Sequence, residues 1–164
     1  MDYWRKPNNR TTPSNLNKEE IESRNIGQDL PYLLNFTPSL VATSDAGAGV
    51  GYTGMRIRGS DASRVNITIN GIPFNDPESQ GSFLVNVPDL SSSVNSIQVQ
   101  RGIGTSTNGS GAFGASVNLE TSAPSRDAFA EINNSVGSFG TRKHNVILNS
   151  GLIDDKWSFE GRLS

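Results

Sequence analysis

The stretch Val65-Asn66-Ile67-Thr68-Ile69-Asn70-Gly71-Ile72-Pro73 constrains the fold more than any other part of the chain. Val65, Ile67 and Ile69 alternate with polar residues at the period of two that a strand requires. Asn70-Gly71 then supplies the residue pair best suited to the two left-handed positions of a type I′ hairpin turn. Pro73 lacks an N–H and confines the residues after the turn to a sheet edge or a loop. A strand with a tight reversal here therefore anchors a sheet. Ser96-Ile97-Gln98-Val99-Gln100-Arg101 alternates in the same way and stops at Gly102, and Val117-Asn118-Leu119 reads as a further short strand.

Helical signals are few and short. Asn17-Lys18-Glu19-Glu20 is spaced as a capping box, with Asn17 as N-cap and Glu20 three residues on. Gly27 ends that helix early. A second short helix is expected over 28–35 with Leu30, Leu33 and Leu34 on its buried side, and Pro38 forbids continuation. Leu40 lies in a strand expected over 39–43, Met55-Arg56-Ile57-Arg58 forms another, and one helical turn is expected over 89–94. Between these elements run glycine-rich loops, among them 45–54 and 102–116. Residues 1–17, polar and carrying Pro7 and Pro13, read as a linker.

After Pro124 the texture changes. Longer strands are expected over 128–136, 142–152 and 156–163, with turns at 137–140 and 153–155. In the last of them Trp157, Phe159 and Leu163 share one face, and Lys156, Ser158, Glu160 and Arg162 the other. Antiparallel strands that are apolar outward and polar inward mark an outer-membrane barrel, although an amphipathic sheet of a soluble sandwich gives the same alternation. Three strands cannot close a barrel. Residues 128–164 are expected to be mobile, to form a lone sheet or to pair with another copy, because their edges are open. The organisation is thus a polar linker over 1–17, a compact loop-rich domain over 18–124 and the start of a barrel over 125–164.

Composition removes several functions. A net charge of −2 argues against a nucleic-acid module, which would need a basic face. With no Cys, thiolate zinc sites, disulfides and a Cys nucleophile are excluded, and the single His144 supplies no metal cluster. No apolar run approaches the roughly 18–20 residues of a membrane helix. No signal peptide is visible at Met1-Asp2-Tyr3-Trp4, which fits either a cytoplasmic protein or a mature, trimmed chain; the barrel pattern favours the second.

Other motifs are weighed on their surroundings. Gly109-Ser110-Gly111-Ala112-Phe113-Gly114 matches a dinucleotide fingerprint, yet that fingerprint needs a helix N-terminus after it, and 115–120 alternates like a strand. Asp76 and Glu78 could serve acid–base chemistry, but flanking Pro77 in a loop they read as solvated turn residues. Asn66-Ile67-Thr68 and Asn108-Gly109-Ser110 fit the glycan-acceptor pattern in a chain where chance matches abound. Arg56, Arg58 and Arg101 stand at or near strand ends, and Arg is suited to bidentate pairing with carboxylates on another wall.

Four blocks in order resemble the plug domain of TonB-dependent outer-membrane receptors: Met55-Arg56-Ile57-Arg58-Gly59, Ile67-Thr68-Ile69-Asn70-Gly71-Ile72-Pro73, Ser96-Ile97-Gln98-Val99-Gln100-Arg101-Gly102, and Gly109 through Leu119. Val136-Gly137-Ser138-Phe139-Gly140-Thr141-Arg142 is similar to that family's first barrel hairpin. Departures are Asn70 for the usual Asp, Gln98 for the usual Glu of a plug–barrel ion pair, and Ala115 for a common Gly. No N-terminal box for TonB stands out.

The resemblance implies an α+β fold: a small plug with a short-stranded mixed sheet, short helices and Gly-rich loops, followed by about three antiparallel strands of an incomplete transmembrane β-barrel. It implies a non-enzymatic gate in the bacterial outer membrane, set in the lumen of a barrel of about two dozen strands. The gate would serve uptake of a scarce nutrient such as a ferric siderophore, haem, cobalamin or glycan. Its partners would be its own barrel, TonB, the small ligand (an iron chelate or oligosaccharide) and the membrane, with no cofactor, metal or nucleic acid. Arg56, Arg58 and Arg101 would make plug–barrel contacts. Apical loops over 45–54, 74–81 and 104–113 would turn Tyr52, Phe74, Asn75, Gln80, Ser106 and Phe113 toward ligand. Competing readings are a cell-surface β-rich adhesin or glycan-binding module with every strand paired, and a nucleotide-dependent enzyme using Gly109–Gly114.

Overall fold

The computed structural model describes residues 13–102, 112–121 and 124–164. Strand β1 (Pro13–Leu16) precedes helix α1 (Lys18–Arg24) and the single-turn helix α2 (Leu30–Leu33). Strands β2 (Leu40–Ser44), β3 (Thr53–Ile57), β4 (Val65–Ile69), β5 (Ile72–Pro73), β6 (Val94–Arg101) and β7 (Ala115–Thr121) come next, then β8 (Phe129–Val136), β9 (Arg142–Asn149) and β10 (Glu160–Leu163). The central sheet has the order β1-β6-β7-β4-β5; β4 and β7 run parallel and every other pair is antiparallel. β2 and β3 form a separate hairpin, and β10-β9-β8 a separate antiparallel sheet.

The hairpin turn forms where Asn70-Gly71 requires it. Ile69 pairs with Ile72, and Asn70 and Gly71 hold φ of 52° and 80°, the positive pair a type I′ turn needs. Asn70 also ties the turn to β7: its Nδ2 donates to Thr121 Oγ1 (2.9 Å) and its Oδ1 accepts from Thr121 N–H (3.0 Å). Asn at this position can both donate and accept. The capping box of α1 is complete, with Glu20 N–H to Asn17 Oδ1 at 2.9 Å and Asn17 N–H to Glu20 Oε2 at 3.1 Å.

Two expectations change. Pro13–Leu16, within the segment expected to be a linker, pairs with 97–100 as the edge strand of the central sheet; proline is tolerated at a strand's first residue and on an edge. The helix expected over 28–35 shrinks to one turn. Its N-cap, Asp29, makes no capping bond, because its carboxylate accepts instead from Gly51 N–H (2.9 Å) and Thr53 Oγ1–H (2.8 Å).

The core lies on one face of the central sheet. Ile67, Ile97, Val99 and Val117 are fully buried with Ile57 and Leu34, and Ile21, Leu30 and Leu119 join them. The other face is a row of amides and a hydroxyl. Asn15, Gln98, Asn118 and Thr68 lie abreast across β1, β6, β7 and β4. Thr68 Oγ1 donates to Asn118 Oδ1 at 2.7 Å, and Asn118 Nδ2 to Gln98 Oε1 at 3.4 Å. Asn66 is buried, not an exposed glycan acceptor.

The sheet β10-β9-β8 is lone, one of the arrangements expected for it, and among the described residues β8 and β10 pair on one side only. The last strand is shorter than expected: Ile153 and Trp157 exchange backbone bonds of 2.7 and 3.1 Å across a turn at Asp154-Asp155, which leaves Glu160–Leu163 to pair with β9.

Candidate functional site: the seam between the domain and the C-terminal strands

The three strands β8–β10 have two unlike faces. Outward stand Ile132, Val136, Leu148, Phe159 and Leu163, exposed by 59–83%. Inward stand Asn145, Ile147 and Asn149, each at most 8% exposed against the loop-rich domain. The polar-in, apolar-out expectation holds for most of these positions, with Ile147 an apolar residue inside and Arg142 and His144 polar ones outside, and Lys143 and Arg162 on the inner face meet the domain directly. The outward His144 lies beside Asn134, with Nδ1 and Oδ1 2.6 Å apart.

The meeting point is Asp89. Lys143 Nζ lies 2.6 Å from its Oδ1 and Arg162 Nη1 2.7 Å from its Oδ2. Ser92 Oγ donates to Oδ1 (2.7 Å), Ser164 Oγ to Oδ2 (2.6 Å), and the Asp89 carbonyl accepts from Arg162 Nη1 (3.0 Å). Burial raises this carboxyl's pKa. Hydrogen bonds from Lys143, Ser164 and Ser92, with the charge of Lys143, outweigh it and hold the group below its ordinary value. Ser92 extends the network by accepting from Asn25 Nδ2 at 2.9 Å. Sequence reasoning expected only a helical turn at this place; partners 54 and 73 residues away (143 − 89 and 162 − 89) left no local signal.

Arg58 and Arg101 come together at another corner. The N–H of Arg58 donates to Ser39 O (2.9 Å), Arg101 Nη1 donates to Pro38 O (3.3 Å), and a Cβ on Gly102 would stand 2.8 Å from Arg58 Nη1. Arg56 is exposed on β3, where its charge helps lower the pKa of Asp61, after the larger effect of hydrogen bonds from Ser63.

The loop residues divide. Tyr52 and Phe113 are 68% and 71% exposed, and Phe74 packs partly against the core. Asn75 turns its amide inward: Oδ1 accepts from Ile67 N–H (2.7 Å), and Nδ2 donates to Val65 O (3.0 Å) and Gln80 O (2.8 Å). It thereby continues the β4 edge past the last backbone bond of the hairpin, Phe74 N–H to Ile67 O (2.8 Å). Gln80, at φ 57°, donates from Nε2 to Pro77 O at 3.0 Å. Asp76 accepts Ser79 N–H and Oγ–H, both at 2.7 Å, and these bonds lower its pKa; it closes a turn. Ser106, Asn108 and Gly109–Gly111 lie outside the described residues. Strand β7 begins directly after Gly114, so no helix N-terminus stands there to hold a phosphate.

The sequence matches the family profile described as TonB-dependent Receptor Plug Domain over residues 7–116. The chain belongs to that family of transport receptors. No curated protein sequence matches it. Solved structures of similar fold include the ferric yersiniabactin uptake receptor FyuA from Yersinia pestis, with 18% identity, a TM-score of 0.66, and coverage of 90% of this chain and 22% of that one. The siderophore receptor PirA from Acinetobacter baumannii matches at 24% identity and TM-score 0.67, covering 92% of this chain and 24% of that one. The alcaligin outer-membrane receptor FauA from Bordetella pertussis matches at 21% and 0.65, covering 90% and 24%. The chain thus spans about a quarter of the length of these receptors. Its fold is that of a receptor plug followed by the first part of the barrel, and TonB-dependent receptors are outer-membrane proteins.

Proposed function

We propose that this chain is the gate, with the first barrel strands, of a TonB-dependent receptor that takes up a scarce nutrient across the outer membrane. The observation that carries the reading is the seam itself. A plug-family domain is held at Asp89 to strands whose far side is apolar and exposed, as a lumen-filling domain inside a membrane barrel requires.

The cargo class is a ferric siderophore or a similarly scarce chelate, haem, cobalamin or glycan. Support comes from the folds of FyuA, PirA and FauA, which are receptors for yersiniabactin, a siderophore and alcaligin. Tyr52 and Phe113, exposed aromatic groups of two of the loops, would touch ligand, with Ser106 in the loop of Phe113 and Gln80 in the loop between; Phe74 and Asn75, turned toward the core, would instead hold that middle loop in place. Arg56, Arg58 and Arg101 would meet barrel carboxylates in the rest of the receptor. The amide row of Asn15, Gln98 and Asn118 lines a cleft of about 730 Å³ and would face the wet lumen wall. TonB acts from the periplasmic side, and short strands with Gly-rich loops make local opening cheap. No step calls for catalysis.

The test is growth on single iron or cofactor sources in a strain that depends on the full-length receptor, with TonB present or deleted. The proposal expects one source to support growth only when both receptor and TonB are present. Growth on every source independent of TonB, with the protein recovered from the cytosol, would overturn it.

A further inference from the structure

Asp89 is the one carboxylate among the described residues that carries two ion pairs, and both partners come from strands of the barrel sheet. Each oxygen is doubly engaged: Oδ1 by Lys143 and Ser92, Oδ2 by Arg162 and Ser164. The cations are largely removed from water, with side chains 11% and 22% exposed. The other ion pair across the seam, Lys18–Glu131, is long at 3.8 Å and 41% and 29% exposed, and pairs of that kind contribute little. Behind the carboxylate, Ser92 leads to Asn25 at the end of α1. A Cβ on Gly27, at φ +96°, would stand 3.3–3.7 Å from the aliphatic stem of Lys143. The stem is packed and the ammonium aimed.

From this geometry we propose that Asp89 is the anchor that fixes the gate to its wall, a positioning residue with the acid on the gate and the bases on β9 and β10. The polarity is the reverse of the pairing proposed for Arg58 and Arg101. A carboxylate shared between two cations does more than either pair alone, since its loss leaves Lys143 and Arg162 facing each other without a counter-charge. Its φ of 52° suits Asp, one of the few residue types that tolerate the left-handed region. Glu131 and Glu160 line the same seam. Glu160 already accepts from Asn149 Nδ2 at 2.8 Å, and Glu131 from Asn133 Nδ2 at 2.6 Å, so neither stands ready to replace Asp89. The anchor gives the gate one fixed point, at the head of the helical turn Leu90–Ser93 that leads into β6, about which the rest of the domain can move. This role rests on the gate reading, whereas the tie itself does not.

The experiment is amide hydrogen exchange on the 164-residue chain, read by mass spectrometry for wild type, Asp89→Asn, Arg162→Gln and the double variant. The proposal expects Asp89→Asn to speed exchange in 89–93, β9 and β10 by roughly tenfold or more while β4 keeps its protection. Arg162→Gln should give a smaller rise in the same segments, and the double variant no more than Asp89→Asn alone. Should Asp89→Asn fail to fold, Lys143→Gln and Arg162→Gln loosen the tie from the wall side and must show the same localised pattern. Unchanged exchange in β9 and β10, an equal rise in β4, or strictly additive effects would each overturn the proposal. Since no ligand, membrane or TonB enters this measurement, failure of the uptake test and failure of the anchor are told apart.

Discussion

Replacing Asn75 with alanine removes an amide that stands in for a strand. Its three bonds go to Ile67 N–H, Val65 O and Gln80 O at 2.7, 3.0 and 2.8 Å. At about 0.5–1.5 kcal/mol net for each, the loss is roughly 1.5–4.5 kcal/mol. Val65 and Ile67 are 1% and 0% exposed, so water reaches their freed backbone groups poorly, and the cost belongs near the middle of that range or above, about 3 kcal/mol. Asn75→Asp keeps an acceptor for Ile67 N–H but sets a carboxylate against two carbonyl oxygens, so it should fare no better than alanine. Urea unfolding gives the answer as a lower midpoint at unchanged slope, and exchange of the Ile67 amide should accelerate with it. A change within about 0.5 kcal/mol, the range of an ordinary surface substitution, would refute the strand-substitute argument.

Other outcomes rest on particular contacts. Gly114→Ala would place a Cβ 2.5 Å from Ser60 Cβ and 3.1 Å from Arg64 O, so it should cost about 1–3 kcal/mol; Gly161→Ala meets nothing within 4 Å and should stay within about 0.5 kcal/mol by the same urea assay. Asp29→Ala frees Gly51 N–H and Thr53 Oγ1 and should cost about 1–3 kcal/mol, with faster exchange confined to 49–53. Acid should loosen the seam. The Asp89 pKa is lowered in the folded chain, so its contribution is complete above the unfolded value of about 3.9 and is lost as pH falls through the folded value. Between about pH 5.5 and 8 the wild-type advantage over Asp89→Asn should stay constant, and below about pH 4 it should shrink. Asp61 and Asp76 shift in the same direction, which is why the difference between the two proteins is the quantity to measure.

The local features are legible in the sequence because they are carried by neighbours in the chain. The period-two run from Val65, the Asn70-Gly71 turn and the Asn17/Glu20 box each need only residues a few places apart, and each appears in the structure. Strand β1 is not legible, since two prolines and a polar composition read as a loose arm, and only its pairing with β6 makes it a strand. The shortening of α2 has a similar cause: Asp29 fits an N-cap by type, but long-range partners at Gly51 and Thr53 hold its carboxylate. Asp89 is the extreme case, as nothing near it in sequence marks a residue whose partners arrive with β9 and β10. Asn75 reads from its loop position as a group facing ligand, and the inward turn of its amide depends on backbone groups of Val65 and Ile67 that lie past the two-residue pairing of β5.

A domain that plugs a barrel should keep it shut to small solutes. The most direct measurement is the permeability of liposomes containing the full-length receptor, compared with a variant lacking residues 13–121. Intact receptor should leave small sugars excluded, and the deletion should let them swell the vesicles. Equal permeability of the two proteins would show that the domain does not plug the barrel.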